Sequence, residues 1–350
     1  MNKELRRLSV VILAMFLALF GATSWIQVVQ VDTLAENPAN TRALYDAYQV
    51  QRGAIIADGA AIAYSVPSDD IYSFQRVYTD AAMWAPVTGY INPLLNSRTG
   101  LESAMNQELS GTSGSQFLQR INQIITGQKP QGSNVATTLL PRAQKAAWDA
   151  LQGYEGAVIA IEPSTGRILA MVTTPSFDTN LLAAHSSSEV NAAYDALEAD
   201  PLRPLSNRAI AGTLNPPGST FKLVVASAAL ASGRYTPEST FANPAQWQLP
   251  GSSDFIGNAG GGTCGPGETV TLADALRLSC NIPMAQLAVE LGDNAIREEA
   301  EKYGFNSSFS MPLESTASTY PRALDDAQTA LSGFGKGDVR ATPLQMAMVS

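Results

Sequence analysis

Residues 215–233 read Asn215-Pro216-Pro217-Gly218-Ser219-Thr220-Phe221-Lys222-Leu223-Val224-Val225-Ala226-Ser227-Ala228-Ala229-Leu230-Ala231-Ser232-Gly233, and this stretch decides how the chain is understood. Two prolines and Gly218 punctuate its start, and Gly233 supplies a C-terminal stop. Between them runs a helix that is apolar nearly all round, so it is predicted to sit in the centre of a domain. Lys222 in its first turn then needs a reason, because a buried ammonium without partners is costly. Ser219 and Lys222 stand three residues apart, on one helical face. Burial favours the neutral amine, which can accept the serine proton, and the helix N-terminus favours negative charge on the serine oxygen. The pair is a candidate for activating a serine nucleophile without histidine. S-x-x-K spacing alone is common by chance; its place at the head of a buried helix behind Pro-Pro-Gly gives it weight.

Working outward, residues 273–278 read as a helix that breaks at Ser279-Cys280-Asn281, with Pro283 starting another. This S-x-N puts a hydroxyl and a carboxamide on one loop, although Ser and Asn are also ordinary helix-breaking residues. Upstream, residues 141–151 are predicted helical, 156–161 a buried strand, 163–166 a turn closed by Gly166, and 167–173 a second strand. Strands followed by mainly helical segments predict an α/β (α+β) domain over residues 136–350, an antiparallel sheet flanked by helices. Residues 32–135 are mixed in composition, with short strand-like stretches at 54–57 and 71–74 and no cluster that carries chemistry. They are read as a smaller mixed N-terminal domain, a scaffold.

Composition narrows the chemistry. The 350 residues carry 22 basic and 31 acidic side chains, a formal charge of −9, which argues against a nucleic-acid partner. One histidine, His185, and two cysteines, Cys264 and Cys280, leave little for His/Cys zinc sites or Cys–His nucleophile pairs. A Ser–His–Asp triad would have to run through His185, which lies in the polar stretch His185-Ser186-Ser187-Ser188. No metal or organic cofactor is expected.

Residues 8–31 contain no charge, and 24 such residues suffice to cross a bilayer core. Lys3, Arg6 and Arg7 precede them, whereas Asp32 and Glu36 follow, so the positive-inside rule places residues 1–7 in the cytosol and the rest outside. A cleaved signal peptide competes with this reading, but no A-x-A site follows the apolar core, so an uncleaved single-pass anchor is preferred. Outside the membrane two lone cysteines 16 apart favour a bridge, which would tie Ser279-Cys280-Asn281 to Thr263-Cys264-Gly265. In the chain-entropy picture such a loop contributes ~3 kcal/mol.

Together the S-x-x-K and S-x-N elements resemble those of class B penicillin-binding proteins, within them most nearly the actinobacterial A branch. Arg52-Gly53-Ala54-Ile55-Ile56-Ala57-Asp58-Gly59 is similar to a motif of their N-terminal pedestal, and Arg76-Val77-Tyr78 through Gly89-Tyr90 to the one that follows. Residues 156–175 resemble the opening hairpin of the transpeptidase domain, and 207–222 its nucleophile segment. Gly335, Gly337 and Thr342-Pro343-Leu344-Gln345-Met346-Ala347 resemble the stretch ahead of a third motif, K-T-G. No K-T-G occurs in the chain; Lys336-Gly337-Asp338 is a poor match, and the motif is expected beyond Ser350, as if the sequence were cut.

The resemblance implies a serine-type D-Ala-D-Ala transpeptidase that cross-links peptidoglycan stem peptides and is acylated by β-lactams. It implies Ser219 as nucleophile, Lys222 as base, Ser279 as proton relay and Asn281 as the group that orients substrate and holds Lys222. A lipid-linked glycan polymerase is a further implied partner. Two alternatives remain: a penicillin sensor or scaffold that keeps the fold, and a serine β-lactamase. The second would need an E-x-x-L-N, for which Glu290-Leu291-Gly292-Asp293-Asn294 is a mis-spaced substitute.

Overall fold

The structure is a computed structural model that describes residues 2–30, 33–34, 49–114, 126 and 131–350. The predicted anchor is a helix over Asn2–Ser24 that continues as a π-turn, Trp25–Val29. Leu5–Val29 is, among the described residues, the one helix long and apolar enough to cross a membrane, at a mean hydropathy of 2.1 and with no part of it buried. Residues 31–32, at the end of the predicted span, lie outside the described residues.

The N-terminal region is built on a four-stranded sheet. Ile55–Ala57 pairs antiparallel with Ala60–Pro67, which pairs antiparallel with Phe74–Tyr78; on its other side Ile55–Ala57 pairs parallel with Val135–Thr137. The strand expected at 71–74 begins only at Phe74: Ser73 has φ +62°, and Ile71 points into solvent in the turn before it. Two arginines and a glutamate sit at the centre of this region. Arg52 Nε donates to Glu102 Oε2 at 2.6 Å and Arg76 Nε to Glu102 Oε1 at 2.7 Å. Arg52 also reaches Asn106 Oδ1 and the Glu102 carbonyl, and Arg76 the Gly53 carbonyl. Thus the two arginine-bearing sequence motifs meet on one carboxylate. A Cβ on Gly53 would lie 1.9 Å from the Ser133 carbonyl, which explains the glycine after Arg52.

Beyond it, the helix Pro141–Leu151 leads into the hairpin Gly156–Ile161 and Ile168–Thr174, paired antiparallel with a register shift beside the turn where Gly166 has φ +72°. The first strand is half-buried along its length rather than buried as predicted; among the described residues it pairs on one side only, with Ile168–Thr174. Gln144 fastens these pieces together, donating to the Met83 and Met171 carbonyls and accepting from the Met171 amide. One apolar core runs through both regions, joining Ile55, Trp84 and Leu109 to Met171, Phe177, Ile210 and Leu344. A second core, around Phe221, Val225, Met284, Leu287 and Tyr320, encloses the central helix. Phe221 stacks on Tyr320 at 5.8 Å and meets Phe305 edge-on at 5.5 Å.

Candidate active site

The segment behind Pro-Pro-Gly is not one uniform helix. Gly218–Phe221 forms a single 3-10 turn, and the α-helix runs from Lys222 to Ala231. In a 3-10 turn residues i and i+3 eclipse, so the change of helix type favours Ser219 and Lys222 sharing one face. Gly218 has φ +60° and donates its N–H to the Gly335 carbonyl at 3.0 Å. A Cβ on Gly335 would lie 2.0 Å from the Gly218 carbonyl, so the approach that holds the serine turn in place demands glycine there. Lys222, Val224, Val225, Ala226, Ala228 and Ala229 are buried, whereas Leu223 and Leu230 are partly exposed and Ser227 donates to Glu299. The helix therefore has an outer edge that its apolar sequence does not suggest.

The Ser279 loop is made by a particular helix ending. Leu272–Arg277 closes with the Ser279 N–H on the Leu276 carbonyl and the Cys280 N–H on the Ala275 carbonyl. This is the Schellman pattern, whose left-handed residue is usually glycine. Here it is Ser279, at φ +58°. A non-glycine residue in this region costs about 1 kcal/mol, and what is kept in return is a hydroxyl at the apex of the loop. Cys264 and Cys280 form a disulfide with Cα atoms 5.6 Å apart, and the Asn243 side chain braces Cys264 through its N–H and carbonyl.

Lys222 joins the two segments. Its Nζ donates to the Ser279 carbonyl at 2.7 Å, the Ser279 Oγ at 3.1 Å and the Asn281 Oδ1 at 2.8 Å. The side chain is 1% exposed, and no carboxylate is among its partners. Desolvation pushes its pKa down to about 8. Ser219, three residues before Lys222, is exposed. The structure thus brings Ser279 and Asn281 onto the Lys222 ammonium, with Cys280, between them in sequence, bridged to Cys264. Ser219 lies one turn before Lys222 and makes no side-chain hydrogen bond to it among the described residues.

Other residues fall elsewhere. The sole histidine, His185, contacts Asp70 through Nδ1 and lies tilted against the Tyr72 ring, with centroids 4.7 Å apart. Lys336 is exposed on a turn, over the ring of Phe334. Glu290 accepts from the Tyr235 hydroxyl. Sequence reasoning overlooked Asn258, whose Oδ1 accepts from the Asn281 and Ile282 amides at 2.9 and 3.2 Å. Its only signal was a position just ahead of Gly260-Gly261-Gly262 and Cys264.

Residues 156–349 match the model of the penicillin binding protein transpeptidase domain, and residues 52–135 that of the penicillin binding protein A dimerisation domain. The peptidoglycan D,D-transpeptidase PbpA of Mycolicibacterium smegmatis is 41% identical over 356 residues, spanning all of this chain and 72% of that protein. MrdA of Escherichia coli, also a peptidoglycan D,D-transpeptidase, is 31% identical over 73% of this chain and 40% of its own length. Among solved structures, the ceftriaxone acyl-enzyme of Mycobacterium tuberculosis penicillin-binding protein A superposes with a TM-score of 0.83 at 41% identity, covering 86% of this chain and 68% of that one. Its penicillin G acyl-enzyme gives 0.81 at 40% identity, over 85% and 69%. The chain belongs to the penicillin-binding protein transpeptidase family.

Proposed function

We propose that the chain is a serine D,D-transpeptidase that cross-links peptidoglycan stem peptides through a Ser219 acyl-enzyme and is acylated at the same atom by β-lactams. The observation that carries this reading is the buried Lys222 amine, held by Ser279 and Asn281 with no acidic partner. With a pKa of about 8, roughly a tenth of the lysine is neutral at pH 7.

In the ammonium form Nζ uses its three protons on three acceptors. When one proton is lost, the nitrogen keeps two N–H groups for two of these acceptors and gains the one lone pair that can receive a proton. The amine then takes the Ser219 proton as Oγ bonds to the carbonyl carbon of the penultimate D-alanine. The Ser219 N–H, in the first turn of its helix and without an intrahelical partner, faces the developing oxyanion. Collapse breaks the C–N bond; the proton passes from Lys222 through Ser279 to the departing D-alanine amine. The amine of a second stem peptide attacks the ester, Ser219 leaves and recovers its proton, and the cross-link is complete. Asn281 holds Lys222 through Oδ1 and aligns the substrate amide.

The proposed organisation is a cytosolic tail at 1–7, an anchor at 8–31, a pedestal at 32–135 and the transpeptidase domain from 136, with the catalytic face outside the cell membrane. A substrate at the outer membrane surface fits the apolar helix Leu5–Val29. The same placement makes a lipid-linked glycan polymerase a natural partner.

The test is labelling of the full-length protein with a fluorescent penicillin beside Ser219→Ala. Label on wild type alone is expected; an unlabelled wild type, or equal label on both, overturns the assignment. Peptide donors and acceptors then separate the transpeptidase, which yields cross-linked product, from a sensor, which only acylates.

A further inference from the structure

The helix Ile282–Leu291 begins at Asn281, yet Asn281 does not cap it: its side chain makes no bond to the first amides of the helix. The first N–H groups of a helix need acceptors, and an asparagine at the N-cap ordinarily supplies one. Here the Asn281 carboxamide is committed elsewhere, with Oδ1 on Lys222 Nζ and Nδ2 on the Gly257 carbonyl at 3.0 Å. The two amides that open this helix find their acceptor in another part of the chain. Asn258 Oδ1 accepts from both the Asn281 and the Ile282 N–H, and Pro283, next along, has no N–H to satisfy.

Asn258 is itself held in one orientation. Its Nδ2 donates to the Gly262 carbonyl at 3.1 Å, which fixes which end of the amide faces the helix, and its own carbonyl accepts from Gly261 at 3.0 Å. Gly261 and Gly262 both have positive φ, giving the tight loop that folds back over Asn258. Two residues further on, Cys264 is bonded to Cys280. The hairpin formed by Gln246–Gln248 and Phe255–Gly257 therefore grips the Ser279–Asn281 loop through Gly257, Asn258 and the disulfide.

We propose that Asn258 is a positioning residue for acyl transfer: by accepting from the Asn281 and Ile282 N–H groups it fixes the backbone from which the Asn281 carboxamide holds Lys222. This inference rests on the reading of Ser219 and Lys222 as nucleophile and base. Asn258 touches neither the serine nor the lysine; it acts by placing the backbone from which Asn281 reaches Nζ. Without Asn258 the Asn281 and Ile282 amides lose their acceptor, the loop end shifts, and Lys222 loses one of three acceptors while water enters beside it.

The experiment measures the rate of acylation of the full-length protein by a fluorescent penicillin between pH 6 and 10, for wild type, Asn258→Ala, Asn258→Asp and Ser219→Ala, with a thermal melt of each. Asn258→Ala is expected to slow acylation by ~10²-fold, the scale of a small misplacement of reacting groups. Its pH midpoint is expected to rise as water relieves the desolvation of Lys222. Asn258→Asp keeps the accepting oxygen and is expected to recover most of the rate, again with a raised midpoint, because a nearby negative charge favours the ammonium. Asn258→Ala reacting at the wild-type rate and midpoint would overturn the proposal. So would Ala and Asp variants that are equally slow and share the wild-type midpoint, the signature of general loss of structure. Label on Ser219→Ala, or none on wild type, removes instead the underlying reading and this inference with it.

Discussion

Glu102 and Lys222 are both withdrawn from water, at 0% and 1% exposure, and are held in opposite ways. Burial alone would raise the Glu102 carboxyl, but the Arg76 and Arg52 guanidiniums on either side outweigh it and keep the group below the usual range. Its charge is thus locked in place by charges. Lys222 has only a carbonyl, a hydroxyl and a carboxamide oxygen around it, and burial brings it down to about 8. The first arrangement makes proton exchange difficult and fastens the N-terminal region together; the second keeps a proton exchangeable near neutral pH. A buried charge paired with its opposite is structure, whereas one solvated by neutral dipoles is available for chemistry.

The comparison breaks most decisively at Lys222. Lys222→Met removes the charge at similar volume, and acylation by penicillin should fall ~10²–10⁴-fold, the range of a lost general base. The melting temperature should hold or rise, because a desolvated ammonium is gone. A variant that unfolds while its folded fraction still acylates normally would make Lys222 a structural residue like Glu102. The converse change is Glu102→Gln, which leaves two guanidiniums buried without a counter-charge. Denaturant unfolding should record a loss of about 3–5 kcal/mol, with the acylation rate of the folded protein unchanged. A large rate effect without loss of stability would reverse the assignment of roles.

The finest distinction is in pH. Below its midpoint the acylation rate should climb about tenfold per pH unit and level off near pH 8 as Lys222 loses its proton. For stability the slope has the same sign at both sites but falls in different pH windows. Glu102 has a depressed folded pKa, so its contribution is present above the usual carboxylate range and is lost as acid protonates it. Lys222 is also depressed, but it is a base. The unfolded chain binds the extra proton between about pH 8 and 10.5, so this group adds stability as pH rises through that window. A flat rate profile across pH 7–9 would remove Lys222 as the base.

Several features could be read locally. The turn at Gly166, the breaks around 279 and 283 and the helix opening at Thr342-Pro343 follow from residues within a few positions of each other, and the Thr342 hydroxyl does accept from the Gln345 amide. Placing a strand at 71–74 failed because Ser73 takes a left-handed turn that apolar content does not announce. The single long helix expected at 219 is a 3-10 turn followed by an α-helix, since the loop of Gly335 pins Gly218 from outside. The Schellman ending at Ser279 was hidden because the residue in the glycine position is a serine.

By itself, the sequence determined that a serine and a lysine share the head of an apolar helix, and that acid–base chemistry here has scarcely any histidine to use. Both follow from spacing and composition, which act over a few residues. Only the tertiary structure decided what the lysine touches. Its acceptors lie 57 and 59 residues away, the asparagine that accepts from the Asn281 amide lies 23 before it, and the glycine that seats the serine turn lies at 335. The same holds for the carboxylate shared by Arg52 and Arg76, which is 50 residues from one and 26 from the other. Such pairings are chosen by the requirement that every buried polar group find a partner once the core has closed, and no local pattern states which partner that will be.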